Sequence, residues 1–348
     1  MQEPIPFLIP TTTEGVYEMH VDNSSKELFE TCARAAQYYT VARRELATDR
    51  PALFKGEVTH KALVHRKRAQ YFGVTDTAKF EPEQMATIVN MYEGKDFGPD
   101  EWRTCEHAVN AIIEYNKAWP IASEPFKIAR KKDDAEPLIE WPFKLELGHA
   151  NMDSWVETHA GKFYVRTVLI FWTGLIDAII DYGDLFVMEH KTTAMLSQDF
   201  FNDFQLGSQG LGYAWAANEL DIPVKGIFVD AIAGRKPTKT GKAHEYMRQR
   251  IWYDPAQVNE WRVDMFTHCT DFLEHLCRGY FPKSTKWCFG KFKRCQYWDV
   301  CTQNPDRRQT ILQSDLYRNV TWSPLNTIKY KHENNGANGE EVQSEVTG

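Results

Sequence analysis

An apolar segment that is interrupted by a single carboxylate constrains the fold of this chain most strongly. Val168–Trp172 and Gly174–Ile180 are both apolar and β-prone, and Asp177 is the only charged residue in either run. A carboxylate left unpaired inside a buried strand costs on the order of several kcal/mol. The sequence therefore predicts a buried strand here, together with a cation beside Asp177.

A second acidic strand follows directly. Asp181–Asp184 has the composition of a turn, and the apolar run Leu185–Met188 leads into Glu189. We expect Asp177 and Glu189 to lie on adjacent antiparallel strands, where their side chains can converge on one ion. Lys191 lies two residues beyond Glu189, so its side chain points to the same side of the strand.

The chemistry of this pattern suits a metal-dependent phosphodiesterase. Two acidic groups can hold Mg²⁺ or Mn²⁺ while a lysine orients water beside them. The Glu-x-Lys triplet alone is not specific, because Glu93-Gly94-Lys95 repeats it elsewhere in the chain. The alternative is a surface hairpin with an ordinary ion pair. The apolar strand before Glu189 and the strand-borne Asp177 favour the metal site.

The next segment adds polar side chains at helical spacing. Gln205, Gln209 and Tyr213 are four residues apart, which places them on one helix face. Gly207 and Gly210 interrupt this helix with poor helix formers. Glycine at these positions is explained if another backbone, from nucleic acid or a strand, approaches closely. The alternative is a polar helix face without a specific role.

Together with Gly56-x-x-x-His60 upstream, these motifs resemble the RecB-type branch of the PD-(D/E)XK nuclease superfamily. That branch includes the nuclease domains of RecB and AddB and the iron–sulfur exonucleases of CRISPR adaptation. The resemblance implies a restriction-endonuclease-like fold, an α/β architecture in which helices flank a central mixed sheet. It also adds His60 as a metal ligand. The family often carries a glutamate on the preceding strand, for which Glu140 is the nearest match and Glu146 the second.

The resulting hypothesis assigns a role to each site residue. The metal ligands are His60, Asp177, Glu189 and the carbonyl of His190, Lys191 orients the attacking water, and Gln209 with Tyr213 positions the substrate backbone. The predicted activity is Mg²⁺- or Mn²⁺-dependent hydrolysis of DNA, with exonuclease action on ends or single strands. The alternative is a non-catalytic DNA-binding or complex subunit that holds a structural zinc ion.

The cysteines provide an independent indication. No signal peptide or long apolar span is recognisable, so we expect a cytoplasmic protein that does not contact membrane and uses cysteine for ligation rather than disulfides. Cys288, Cys295 and Cys301 lie close together, separated by six and five residues. Zinc and iron–sulfur sites take four protein ligands, so a distant cysteine must complete the set.

Cys32 is the preferred fourth ligand, on a helix that Ser24 and Glu27 are predicted to begin as a capping box. Cys277 remains the rival. The iron–sulfur members of the family place a first cysteine in such a helix, so the resemblance implies a 4Fe–4S cluster, with Zn²⁺ as the alternative. This chain has Ala33 where the family has proline, which leaves the identity of the cluster open. We expect the cluster to connect the first helix, which carries Cys32, to the C-terminal cysteine loop.

The remaining segments complete the predicted organisation. A single domain over 1–330 comprises a helical part (24–118), the catalytic sheet (136–232) and a helix with the cysteine loop (254–301). The polar tail 331–348 is predicted to be disordered.

A net charge of −7 argues against indiscriminate coating of DNA. Phosphate contacts need only local basic groups, and three basic runs supply them, within 127–132, 235–250 and 283–294. Aromatic side chains near the cysteines offer stacking surfaces for a single strand, although we expect most of them to pack around the cluster instead; they are Trp287, Phe289, Phe292, Tyr297 and Trp298. DNA is thus the predicted partner, with a helicase or recombination protein as a further one.

Overall fold

The structure is a computed structural model that describes residues 7–48, 50–131, 136–158, 161–237, 243–289 and 294–320. Within these ranges the strands are β1 (Leu8–Pro10), β2 (Val16–Val21), β3 (Arg44–Leu46), β4 (Lys127–Ile128), β5 (Ile139–Thr158), β6 (Gly161–Asp181), β7 (Leu185–Thr193), β8 (Gly226–Gly234), β9 (His244–Trp252) and β10 (Tyr317–Asn319). The helices are α1 (Asn23–Thr31), α2 (Ala33–Ala36), α3 (Pro51–Tyr71), α4 (Glu81–Tyr92), α5 (Cys105–Ala118), α6 (Gln198–Leu206), α7 (Ser208–Glu219), α8 (Pro255–Arg278), α9 (Trp298–Cys301) and α10 (Pro305–Leu312). The predicted α/β class is confirmed, with helices beside a mixed sheet. The predicted tail 331–348 lies outside the described residues.

The chain divides into two compact units. The first unit contains residues 1–48, 142–174 and 262–348, and the second contains 49–141 and 175–261. Strands β5 and β6 and helix α8 contribute residues to both. The residues of the predicted nuclease site all belong to the second unit, and the four predicted cluster cysteines all belong to the first.

The sheet of the second unit is mixed, as predicted. Strands β6 and β7 are antiparallel, with Ala178 opposite Met188, and the predicted turn joins them. In that turn Gly183 adopts a φ of +87°, and its N–H donates to Asp181 Oδ1. Strand β7 runs parallel to β8, and β8 runs antiparallel to β9. Consecutive residues of β6 and β7 in this unit, 176–180 and 186–190, are therefore buried on both faces of the sheet, whereas the run Val168–Trp172 in the first unit alternates buried and partly exposed residues.

Helices cover the two faces of this sheet. On one face α3 packs through Val64 against Ala178 and Met188, whose side chains point to the same side of the antiparallel pair. On the opposite face α7 lies so close that a Cβ at Gly210 would be 3.3 Å from Ile227 Cδ1. Side chains on adjacent positions of β7 therefore face different helices.

The single helix that was predicted to carry Gln205, Gln209 and Tyr213 is two helices. Gly207 separates α6 from α7, and its extended backbone (φ −68°, ψ 131°) ends the helical hydrogen bonding. Gln205 is consequently exposed on α6, whereas Gln209 and Tyr213 share one face of α7. The three-residue face predicted from spacing was wrong at Gln205.

The first unit contains the N-terminal strands and the cysteines. Strand β2 runs parallel to the first part of β6 and antiparallel to β1, and β3 pairs with β10. The predicted capping box was wrong, because Asp22 begins α1 by accepting the N–H of Ser25 at 2.9 Å. The helix then ends at Thr31, and Cys32 lies in an extended conformation between α1 and α2. No helix among the described residues is long and apolar enough to cross a membrane.

Candidate active site

Asp177 lies where the hydrogen-bonded ladder between β6 and β7 stops. Its Oδ2 accepts the backbone N–H of His190 at 2.8 Å, and its Oδ1 is 3.3 Å from His60 Nδ1. The carbonyl of Asp177 accepts a hydrogen bond from Lys67 Nζ at 2.9 Å. Burial alone would raise the pKa of Asp177, but the positive charges of His60 and Lys67 hold it well below its usual value. The predicted cation beside Asp177 is thus supplied by protein side chains.

Glu189, Lys191 and Gln209 form a closed ring of hydrogen bonds. Glu189 Oε1 accepts from Lys191 Nζ and from Gln209 Nε2, each at 2.8 Å, and Lys191 Nζ also donates to Gln209 Oε1 at 2.7 Å. Gln209 Nε2 is 3.4 Å from the hydroxyl of Tyr213, which is only 8% exposed. Gln209 therefore contacts both members of the Glu189–Lys191 pair and Tyr213 contacts Gln209, while their predicted role in positioning the substrate backbone stays a prediction.

Burial and charge shift the pKa values of this site in different directions. Burial raises the pKa of Glu189, which is 2% exposed, and Lys191 only partly offsets the shift. Burial alone would lower the pKa of Lys191, yet Glu189 raises it. Burial would likewise lower the pKa of His60, and the neighbouring Asp177 raises it. Lys191 therefore remains an ammonium ion at neutral pH.

Gly56 accounts for the position of His60. A Cβ at Gly56 would lie 3.1 Å from Thr192 Oγ1, so the absence of a side chain lets the first turns of α3 approach β7. His60 follows one helical turn later and reaches Asp177. The Gly-x-x-x-His spacing therefore has a packing reason as well as a chemical one.

Gly210 allows α7 to sit against the sheet. A Cβ at this position would overlap the Tyr253 hydroxyl, which donates to the carbonyl of Phe204 at 2.6 Å. A backbone from nucleic acid or a strand was predicted to approach this glycine closely. The structure places the side chain of Tyr253 there instead. That packing fixes the helix that carries Gln209.

Replacing Gly210 by alanine is expected to destabilise the protein by about 1–3 kcal/mol, the usual cost of overpacking. Helix propensity alone predicts the opposite sign, a gain of up to about 1 kcal/mol. Urea unfolding of Gly210→Ala measures the difference. The double variant Gly210→Ala/Tyr253→Phe removes the clashing hydroxyl and should recover part of the loss. An alanine variant as stable as the wild type would contradict this account.

Lys67 contacts the site but was not predicted from the sequence. Lys67 lies seven residues after His60, on the same side of α3, and that spacing is the signal that could have identified it. Its Nζ is 3.5 Å from Glu140 Oε1. Of the two glutamates considered, the structure thus brings Glu140 to the site residues of the second unit. Glu146 is an exposed residue of the first unit.

A buried charge network lies on the α3 side of the sheet, next to His190. Asp230 on β8 pairs with His190 in register, and its Oδ2 is 3.5 Å from His190 Nδ1 and 3.1 Å from Arg248 Nη2. Tyr115 donates to the same Oδ2, while Arg248 also contacts Glu124 at 2.7 Å. Sequence patterns placed Arg248 in a basic surface run. That prediction was wrong, because its guanidinium is buried in this network.

The donor types around Asp177 suit a hard divalent cation. The two carboxylates supply the oxygen ligands that Mg²⁺ and Mn²⁺ prefer, and the imidazole is a ligand of the kind that suits transition metals better than Mg²⁺. Among the described residues, only one oxygen of Glu189, Oε1, accepts hydrogen bonds. The other oxygen, Oε2, is therefore available to ligate a metal ion. As placed, no three His, Cys, Asp or Glu side chains of the described ranges converge on one metal position. Asp177 and Glu189 are instead paired with His60 and Lys191.

The predicted cluster cysteines occupy one region of the first unit. Cys32, Cys295 and Cys301 pack against a buried group that contains Tyr38 and Tyr297. The carbonyl of Cys288 accepts the N–H of Cys295 at 2.9 Å, which places the fourth cysteine beside them. All seven cysteines of the chain lie in the described ranges as free thiols.

Two of these sulfurs accept backbone hydrogen bonds. Backbone N–H groups of Ser284 and Tyr297 donate to the sulfurs of Cys32 and Cys295, at 3.4 and 3.5 Å. Burial raises the pKa of Cys295, and the neighbouring Cys32 and Cys288 raise it further. As placed, the cysteines of the described ranges do not converge on one metal position, and the cluster stays a prediction. The rival Cys277 instead lines a cavity with His149 and Phe266.

The predicted nucleic-acid contacts are accounted for only in part. Tyr297 is buried, so it cannot stack on a base, whereas Trp287 and Phe289 are exposed. Lys283, Lys286 and Arg294 are also exposed. Phe292 and several of the predicted basic residues lie outside the described residues; they are Lys132, Lys239, Lys242, Lys291 and Lys293. DNA binding stays a prediction.

Comparison with known proteins gives little further information. No protein-family model matches the chain, and no curated protein matches it. A solved structure described as the crystal structure of SSO0001 matches 74% of this chain and 78% of its own chain. The two share 11% sequence identity with a TM-score of 0.26, a likeness that carries no argument about function.

Proposed function

We propose that this protein is a Mg²⁺- or Mn²⁺-dependent DNA nuclease of the PD-(D/E)XK type. The observation that carries the proposal is the pair of buried carboxylates Asp177 and Glu189 where β6 and β7 stop pairing, with the partly exposed Lys191 and His60 beside them. Burying two carboxylates this close together costs stability, and such arrangements are common at functional sites. The motif spacing that resembles RecB-type nucleases supports the same reading.

Each residue of the site has a separate proposed role in phosphodiester hydrolysis. Asp177, Glu189 and His60 would hold the divalent cation, which supplies charge stabilisation at the phosphate when it is bound. Lys191 stays protonated because Glu189 raises its pKa, so it donates a hydrogen bond and does not take a proton. Its role is therefore to orient water or to stabilise charge that develops on the phosphate. Gln209 keeps the lysine beside Glu189.

The direct test is cleavage of end-labelled DNA by purified protein with Mn²⁺. We expect Glu189→Gln and Lys191→Met each to lower the rate by about 10²–10³-fold, the effect of removing one group that stabilises developing charge. Gln205→Ala is the matched control, because Gln205 is exposed on α6 and should leave the rate unchanged. Substrates labelled at the 5′ or 3′ end, single- and double-stranded, establish the polarity. Cleavage that persists in both site variants would refute the assignment.

One observation favours a non-catalytic alternative. The carboxylates of the site are already paired with lysine and histidine, so they form a neutral cluster without any metal. A DNA-binding or complex subunit of the same fold could keep such a cluster for stability alone. In that case the protein would bind DNA, whereas Mn²⁺ would neither bind nor allow cleavage.

For the cysteines, we propose an iron–sulfur cluster of the 4Fe–4S type held by Cys32, Cys288, Cys295 and Cys301, with Zn²⁺ as the alternative. The N–H groups aimed at two sulfurs support ligation, since such hydrogen bonds stabilise thiolates. Protein purified without oxygen should be brown and contain about four irons per chain. Cys32→Ser should lose this colour, whereas Cys277→Ser should keep it. A colourless protein with one zinc per chain would support the alternative.

A further inference from the structure

Lys67 is a buried lysine that the proposed reaction does not use. Its side chain extends from α3 and is 3% exposed. Its ammonium donates to the carbonyl of Asp177 at 2.9 Å and lies 3.5 Å from Glu140 Oε1. The lysine is therefore fixed between the backbone of one proposed metal ligand and the carboxylate of a second acidic residue.

Glu140 is held at this position by an unusual backbone. It adopts a φ of +48°, a left-handed conformation that is unfavourable for a residue other than glycine. Its Oε1 is buried and has no hydrogen-bond partner among the described residues. Lys67 Nζ, at 3.5 Å, is its ion-pair partner in this part of the chain. Burial raises the pKa of Glu140, and the negative charge of Asp177 raises it further while Lys67 opposes both.

Two acidic residues beside each other are the usual setting for a second divalent ion. Sites with two metals place the ions about 3.5–4 Å apart and bridge them with carboxylates. Here Asp177 has Glu189 as one acidic neighbour and Glu140 as another. The Glu189 side has a free oxygen, Oε2, whereas the Glu140 side already contains the Lys67 ammonium.

We infer that the Lys67 ammonium takes the place of a second divalent cation, so that the site binds one metal ion, on the Glu189 side of Asp177. A divalent ion on the Glu140 side would meet a buried positive charge that the helix holds in position. Glu140 is then the counter-ion of Lys67 and a positioning residue, and it does not ligate the metal. The inference rests on the proposed function, because it requires that Asp177 binds a divalent cation at all.

Titration of metal-free protein with Mn²⁺, followed by calorimetry and by the paramagnetic resonance of free Mn²⁺, tests this without DNA. We expect one Mn²⁺ per wild-type chain. Glu140→Gln should also bind one ion with nearly the wild-type affinity, whereas loss of a true ligand lowers affinity by about 10-fold or more. Lys67→Met should bind a second ion, because the Asp177 and Glu140 carboxylates lose their internal cation.

Two further variants control for general effects of altering α3. Lys55→Met removes another buried lysine of the same helix, one that donates to His107 and, among the contacts of the described residues, has none with the site, so binding of one ion should persist. Lys67→Arg keeps the charge and should also keep the single ion. If Lys67→Met is too unstable for titration without metal, its melting temperature is measured at increasing Mn²⁺ concentrations. A far larger rise than in the wild type would support the inference.

The outcomes separate this inference from the proposed function. Two ions in the wild type, with cleavage intact, would overturn the inference and leave the nuclease proposal standing. A tenfold loss of affinity in Glu140→Gln would also overturn it, as would a single ion in a folded Lys67→Met variant. If wild-type protein binds no Mn²⁺, both proposals fail.

Discussion

With Asp177 replaced by asparagine, we expect DNA cleavage to fall by about 10³-fold, at the upper end of what one charge-stabilising group contributes. Asparagine can still accept the N–H of His190, so the strand ends should keep their geometry. What it removes is the negative charge that pairs with His60 and that the proposed metal site requires. Single-turnover cleavage with Mn²⁺ measures the loss. The exposed Asp199→Asn on α6 is the control, with an unchanged rate expected.

The same variant should reveal the charge pair through its pH dependence. The folded pKa of Asp177 is lowered, so its contribution to stability is present above about pH 4 and is lost as pH falls through the folded pKa. The folded pKa of His60 is raised, so its contribution is fully present below about pH 6.5 and is lost as pH rises through the folded value. In metal-free protein Asp177→Asn should therefore cost most stability between these limits. An NMR titration in which the pKa of His60 does not fall in Asp177→Asn would contradict the pairing.

Replacing Arg248 by methionine should lower the free energy of unfolding by about 3–5 kcal/mol, the cost of removing one partner from a buried ion pair. The variant leaves Asp230 and Glu124 buried without the guanidinium that both contact. Urea unfolding followed by circular dichroism measures the change. Its size reflects desolvated carboxylates more than the loss of packing, because methionine retains much of the side-chain volume.

Arg235 provides a matched control for this prediction. It also pairs with a glutamate, Glu245, at 2.9 Å, but the two side chains are 46% and 42% exposed, in contrast to the buried network. Arg235→Met should therefore cost about 0–1 kcal/mol, as surface ion pairs do. Adding Asp230→Asn to Arg248→Met should recover part of the loss by removing one stranded charge. If Arg248→Met and Arg235→Met lower the free energy of unfolding equally, the buried network does not contribute the predicted stability.

Local patterns predicted the strand pair that carries Asp177 and Glu189. The apolar runs around these residues, with turn residues between them, are sufficient for an antiparallel pair, because alternation and turn chemistry act over a few residues. The same alternation placed Lys191 beside Glu189, and the ion pair confirms that position. These two predictions succeeded because each depends on neighbours in sequence. His60 was assigned only through the family resemblance, and its role as a metal ligand stays a prediction.

The errors concern boundaries and exposure. Asp22 rather than Ser24 begins α1, and Gly207 divides a predicted helix in two, since several polar residues and glycines there compete for the same cap positions. Arg248 looked like a surface cation because lysines and arginines precede it in the chain. Whether an arginine is buried depends on the carboxylates of other strands and helices, which composition does not show.

The sequence by itself determined which strands are buried, that Asp177 needs a cation, and that Glu189 and Lys191 share a side of their strand. These follow from hydrophobic periodicity, which is a property of consecutive residues. Only the tertiary structure decided which cation Asp177 obtains. His60 and Lys67 reach it from α3, more than a hundred residues earlier in the chain, because Gly56 allows that helix to pack against β7. Such pairings depend on which helix packs against which strands. A pattern of neighbouring residues does not encode contacts between segments more than a hundred residues apart.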